Sequence, residues 1–296
     1  MSKISIIGAG NVGAQIAYEI ASRNLAQEIV LVDILPNLAA GQALDIQQAL
    51  AFHNSTKITS GDFEAIQNSE VIVIPAGKPR TPGMSDRLEL AKINSKIIQS
   101  ITSEIKKYSP HSIIVTLTNP LDLMNHVVHQ SGFPREKVIG SGSQLDSARF
   151  RIVLGHPLQN IEAWVIGEHG EGMIPLFSNI LRNGKKYVCS AAEQEEIKRK
   201  VKESGLQVIE KKGATIFAPA MHTADIVEAI IRDQKKRMIC SVNLQGEYGL
   251  SGISLGVPII VGKNGIEKIE QWDLSAEEQT ALQQSSEKLK GLQREL

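Results

Sequence analysis

Lys3–Ile7 is a short run of mostly β-branched, apolar residues. It predicts a strand covered on both faces, as in the interior of a parallel sheet. Similar runs recur at Glu28–Asp33, Lys57–Ser60, Val71–Ile74, Ser112–Leu117 and Lys137–Gly140. Between them the apolar period changes to that of a helix. Residues 12–23 place Ile16 and Ile20 four apart, and Pro36 precedes a helix running through Ala39–Ala51. Residues 88–107 carry Leu88, Leu90, Ile93, Ile97, Ile101 and Ile105, mostly three or four apart, which predicts an amphipathic helix. Leu121–Gln130 predicts another. Strands and helices that alternate at these lengths predict an α/β protein with a doubly wound parallel sheet and right-handed crossovers.

The alternation is lost near 140–145, and this predicts two domains, 1–142 and 143–296. In the second, Leu145–Leu154 reads as a helix and Ile161–Ile166 as a strand leading into Gly167-Glu-His-Gly170. A solvated Glu/Lys-rich helix is expected over 193–211 and a more apolar one over 219–231. Tyr187–Cys189 and Val257–Val261 are strand candidates, the latter ending in a turn at 262–265. Ser275 and Glu278 have capping-box spacing at the start of a C-terminal helix. The expected second domain is therefore α+β.

Gly8, Gly10 and Gly13 stand at G-x-G-x-x-G spacing between the first strand and the first helix. The first glycine makes the turn, the second lets a pyrophosphate approach the backbone, and the third lets helix and strand pack closely. The helix N-terminus at Asn11 and Val12 then offers unpaired N–H groups to an anion. Asp33 ends the next strand, 20 residues after Gly13, where a carboxylate meets ribose hydroxyls and repels a 2′-phosphate. A Rossmann-type domain that binds NAD rather than NADP is the expectation. Its ligands sit at the carboxyl ends of the strands. There the chain carries a Pro/Gly-containing basic loop, 75–87, with Arg80 and Arg87, and this loop is a candidate lid.

Composition narrows the partners. Lys+Arg and Asp+Glu are both 32, so nothing marks a nucleic-acid or anionic-membrane partner. No apolar run approaches the length of a membrane span. The chain enters a strand within three residues, which leaves no room for a signal peptide. Cys189 and Cys240 share no motif spacing and read as free thiols of a reducing compartment, so a cytoplasmic setting is expected. No metal-ligand spacing is present.

His169, between glycines at a strand end, is the histidine in the most distinctive setting, although a lone histidine is commonly structural. Asp146 and Arg149, three apart on a helix, share a face and could equally form a surface ion pair. Spacing alone does not bring either to His169. Taken together, however, the motifs resemble the NAD-dependent lactate/malate dehydrogenase family along nearly the whole chain. The resemblance rests on Gly8–Gly13 with Asp33, Ala76-Gly77, Pro82-Gly83-Met84, Thr118-Asn119-Pro120-Leu121-Asp122, Leu145-Asp-Ser-Ala-Arg-Phe-Arg151, Gly167–Gly170 and Gly213-Ala-Thr215.

The resemblance implies hydride transfer between NAD and a small 2-hydroxy acid. His169 is implied as general acid/base, Asp146 as the group that orients it and favours its cation, and Arg149 as a bidentate clamp on the substrate carboxylate. Arg87 is implied to polarise the carbonyl from the lid, and Asn119 and Thr215 to touch the substrate. Asn94, Leu117, Thr118 and Asn119 are implied to line the cofactor site with the glycine turn. Arg80 matches the position that is arginine in family members acting on malate and oxaloacetate, and typically glutamine in those acting on lactate and pyruvate. Malate and oxaloacetate are thus the expected pair, and L-lactate or a broader set of 2-hydroxy acids the runner-up. A homodimer or homotetramer is implied. The chain departs from the family in one place. Ser85 and Asp86 both separate Met84 from Arg87, and we read one inserted residue, because the other register puts Asp86 in the arginine's place. An NAD-dependent glycosidase, which needs a metal site, and a non-enzymatic NAD sensor leave the Asp146, Arg149 and His169 set unexplained.

Overall fold

The computed structural model describes residues 2–79, 87–155 and 160–296. In chain order the first half contains β1 (Lys3–Ile7), α1 (Asn11–Ser22), β2 (Glu28–Val32), α2 (Pro36–Leu50), β3 (Lys57–Gly61), β4 (Val71–Ile74), α3 (Arg87–Tyr108), β5 (Ile113–Thr116), α4 (Leu121–Gln130) and β6 (Val138–Gly140). The predicted alternation is present, with ends shifted by one to three residues. These strands lie side by side in the order β3-β2-β1-β4-β5-β6, all parallel. Every residue of β4 and β5 is buried, as expected of strands covered on both faces. The order reverses direction between β1 and β4, which opens a crevice at their carboxyl ends.

The second half contains α5 (Ser143–Leu154), β7 (Ile161–Glu162), β8 (Val165–Gly167), β9 (Met173–Pro175), β10 (Leu181–Arg182), β11 (Lys185–Lys186), α6 (Ala191–Lys212), α7 (Phe217–Ile231), β12 (Lys236–Gln245), β13 (Ser251–Gly262), β14 (Gly265–Ile269) and α8 (Ala276–Gln293). The sheet continues from β6 through β12, β13 and β8 to β9, now antiparallel, with β14 on β13. The join to the parallel half is the pair Gly140 and Ser241.

Two sequence expectations need correction here. Ile161–Ile166 is not one strand. β7 pairs with β10 in a separate small sheet, while β8 joins the main sheet. The break falls at Ala163-Trp164, where Arg151 donates to the Ala163 carbonyl (3.2 Å) and stacks its guanidinium on the Trp164 ring (4.4 Å). Tyr187–Cys189 is not a strand either. The ladder runs through Lys185–Lys186, because the two-residue turn Asn183-Gly184, both at positive φ, sets the hairpin register. β12 is an addition, and β13 begins earlier than Val257. Their alternation is disguised by buried polar residues such as Ser241, Asn243 and Ser254.

α7 packs along α1 and ties the two halves together. Arg23 at the end of α1 reaches Asp225 (2.7 Å) and Glu228 (3.2 Å) on α7. Burial raises the Asp225 carboxyl, but its bonds to His222 and Arg23 pull it down further, from 3.8 to about 2. A carboxylate depressed in the fold stabilises it above its unfolded value and loses that stabilisation as pH falls through its folded value. Asp225→Asn is therefore expected to cost roughly 1–2 kcal/mol near neutral pH and almost nothing near pH 2, measured by urea unfolding at both pH values.

Candidate active site

The glycine turn closes β1 onto α1 as its spacing requires. A Cβ on Gly13 would lie 1.8 Å from the Gly8 carbonyl oxygen, so only glycine lets the helix start so close to the strand. Gly10 is different, for a Cβ there would meet nothing within 4 Å. The first turn of α1, at Asn11 and Val12, carries no side-chain cap and no acidic residue. Its N–H groups are thus left without a side-chain cap at the switch point, an arrangement that fits the pyrophosphate of a dinucleotide. Asp33 sits just beyond β2. Its Oδ2 accepts the Ala9 N–H (2.7 Å) and its Oδ1 the Leu35 N–H (2.9 Å). Both bonds fix the carboxylate beside the turn, and each oxygen keeps capacity for a ribose hydroxyl.

The walls of the crevice are the loops after β4 and β5. Thr118 donates its hydroxyl to Ala76 O (2.5 Å) and Ile74 O (3.2 Å). Asn94, fully buried on α3, accepts from Lys78 N (2.7 Å) and donates to Lys78 O (3.1 Å) and Asn119 O (2.6 Å). Both side chains stitch the two loops to each other and so shape the wall. Leu117 is half-buried beside them, and Asn119 is exposed at the mouth.

Across the mouth, β8 and α5 bring the chemistry together. The Asp146 side chain, 1% exposed, touches both of its expected partners. Its Oδ2 lies 2.6 Å from His169 Nδ1 and its Oδ1 accepts from Arg149 Nη1 at 3.0 Å. Burial lowers the His169 pKa, but the charge and hydrogen bond of Asp146 more than reverse this, with help from Asp122 and opposition from Arg149, so the net shift is upward. The imidazole fits because residue 142 is glycine. A Cβ there would be 2.7 Å from His169 Cγ. Arg149 has a similar allowance from α6, where a Cβ on Gly205 would lie 3.0 Å from Nη2.

Asp122, quoted in a motif but given no role, proves to belong to the site. Buried in the first turn of α4, it accepts the His169 backbone N–H (2.7 Å) on one oxygen and the Ser241 hydroxyl (2.6 Å) on the other. Burial pushes it up to about 6 against those two bonds. A charged residue at a buried helix start was the available signal; its partners 47 and 119 residues away were not. Arg87 opens α3 and forms an ion pair with Glu168, immediately before His169. Thr215 is half-buried between α6 and α7, without a hydrogen bond to the Asp146 cluster among the described residues. Arg80, Ser85 and Asp86 lie outside the described residues.

A dinucleotide-binding crevice facing a carboxylate-held histidine and a fixed arginine defines an NAD-dependent oxidoreductase. Residues 2–140 match the lactate/malate dehydrogenase NAD binding domain, and residues 143–294 match the lactate/malate dehydrogenase alpha/beta C-terminal domain. The chain belongs to the lactate/malate dehydrogenase family. It is 42% identical to a malate dehydrogenase of Halobacterium salinarum, covering 98% of this chain and 97% of that one. Among solved structures, Cryptosporidium parvum malate dehydrogenase superposes with a TM-score of 0.94 at 35% identity, covering 100% of this chain and 98% of the other. The lactate dehydrogenase of the same organism, complexed with lactic acid and β-nicotinamide adenine dinucleotide, also gives 0.94, at 34% identity, covering 99% of this chain and 97% of that one.

Proposed function

We propose that this chain interconverts (S)-malate and oxaloacetate. The observation that carries the acid/base and carboxylate-binding chemistry is the single buried carboxylate of Asp146 joining His169 to Arg149, and the likeness to malate dehydrogenases supports the choice of substrate. NAD, when bound, supplies the hydride acceptor for malate oxidation, and its reduced form the donor for the reverse reaction. The glycine turn, the α1 N-terminus and Asp33 would hold it, with Asn94, Leu117, Thr118 and Asn119 forming the wall.

Arg149 grips the substrate carboxylate through its planar fork, fixed in direction by Asp146. Because Asp146 occupies Nδ1, His169 exchanges its proton through Nε2. It takes the hydroxyl proton of malate or gives a proton to the carbonyl oxygen of oxaloacetate. Arg87 stabilises charge on that oxygen, and Asn119, at the mouth, hydrogen-bonds it. Thr215 would contribute a further contact to the substrate. Arg80 pairs with the second carboxylate, which distinguishes oxaloacetate from pyruvate. Residues 1–142 form the cofactor unit and 143–296 the substrate unit, meeting at the Gly140 and Ser241 join.

The setting we propose is cytoplasmic. Both cysteines are buried free thiols, and among the described residues no helix is long and apolar enough to cross a membrane. A homodimer or homotetramer is supported by the exposed apolar side chains Leu38 and Leu44 on α2 and Phe217 and Met221 on α7. Oxaloacetate-dependent oxidation of NADH, followed spectrophotometrically, tests the proposal. With NADPH the kcat/KM is expected to fall by at least about tenfold, because Asp33 would face a 2′-phosphate. Equal efficiency with both cofactors contradicts the role given to Asp33.

A further inference from the structure

Glu168 carries His169 on its backbone, yet none of the roles above includes it. It is 4% exposed. Its Oε2 accepts the Gly172 N–H at 3.0 Å. Its Oε1 is buried and is paired with the Nη2 of Arg87 as an ion pair. A buried carboxylate oxygen in that state is a socket for one cation, and its charge is costly to leave unpaired. The cation comes from the other half of the chain, at the first residue of α3, and its side chain remains 35% exposed.

The floor of the socket is backbone. A Cβ on Gly170 would lie 3.1 Å from Arg87 Nη2 and 3.5 Å from Nη1, so the guanidinium rests directly on the chain just after His169. Any larger residue there would push it away. Among the described residues the ion pair engages the fork through Nη2 alone. An arginine side chain has considerable rotamer freedom to lose before it can act at a fixed point. Here much of that freedom is already lost, through a contact that involves neither substrate nor cofactor.

We propose that Glu168 is a positioning residue that holds the Arg87 guanidinium beside His169 before the substrate arrives. The inference rests on the role given to Arg87 under Proposed function. Its test is a double-mutant cycle in the full-length enzyme. Glu168→Gln removes the charge and keeps the shape. It is expected to lower kcat for oxaloacetate reduction roughly 10- to 100-fold, the scale of a misplaced catalytic group, with the KM for NADH within about threefold. Arg87→Ala is expected to lower kcat further. The double variant is expected to be no slower than Arg87→Ala, since Glu168 then has nothing to position. Multiplicative losses, or a wild-type kcat for Glu168→Gln, overturn the positioning role while leaving Arg87 in place. A wild-type kcat for Arg87→Ala overturns the assignment of Arg87 itself. Should Glu168→Gln not fold, guanidinium ion added at millimolar concentration to Arg87→Ala is the second readout. Saturable recovery of turnover supports a socket at Glu168, and the absence of recovery overturns it.

Discussion

Replacing His169 by Asn is expected to lower kcat in both directions by about 10²–10⁴, the usual contribution of a positioned acid/base group. The structure gives reasons to expect a clean effect. The His169 backbone is held by its N–H bond to Asp122, which does not involve the imidazole. The ring lies in a slot that Gly142 keeps open, and the smaller amide fits without pressing on α5. NADH affinity should stay within about threefold of wild type, because the cofactor residues belong to the glycine turn and the loops after β4 and β5. Steady-state rates with oxaloacetate and malate, together with NADH binding by fluorescence, make the comparison. A loss smaller than tenfold would mean that another group moves the proton.

Asp146→Asn should be nearly as damaging, for two reasons that can be separated. The carboxylate is buried and paired on both oxygens, to His169 and to Arg149. Breaking a buried pair by neutralising one member typically costs about 3–5 kcal/mol, or roughly two to four decades in rate when the pair acts in the transition state. The first effect is electrostatic and has a definite sign. Asp146 holds the His169 pKa above its ordinary 6.5. Oxaloacetate reduction needs the imidazolium, so wild-type kcat/KM is level below the His169 pKa and declines above it. Malate oxidation needs the neutral ring and shows the opposite limb. In Asp146→Asn both inflections move to lower pH. The second effect is positional. Arg149 loses its anchor, so the KM for the oxo acid rises while the pH profile reports His169 alone. An unchanged inflection with a raised KM would confine Asp146 to orienting Arg149.

The parallel half of the fold was legible because covered strands and amphipathic helices write their period directly into the chain. The glycine turn was legible too, since contacts such as that of Gly13 with the Gly8 carbonyl leave no room for a side chain. The antiparallel half was less so. In β12 and β13 the buried Ser241, Asn243 and Ser254 interrupt the apolar pattern, because the interior there is partly polar. The break at Ala163-Trp164 depends on Arg151, a contact between elements that no local pattern encodes.

The site divides in the same way. The meeting of Asp146 with His169 spans 23 residues and joins α5 to the end of β8. No spacing rule predicts it, and only the family resemblance linked the two. Asp122 and Glu168 were visible as members of motifs, but their work is done on backbone or on a distant arginine. Gly142 and Gly205 matter for what they leave empty, which a sequence does not reveal until the neighbouring ring or guanidinium is in place.

Substrate choice is the point on which the account can be tested most directly. Oxaloacetate brings a second carboxylate that Arg80 is proposed to pair, whereas pyruvate would leave that arginine without a partner in a closing pocket. Leaving a desolvated charge unpaired costs on the order of 3–5 kcal/mol. The measurement is kcat/KM for oxaloacetate and for pyruvate with NADH under identical conditions. A preference for oxaloacetate of at least about 10² is the expected result. A value for pyruvate equal to or above that for oxaloacetate would contradict it.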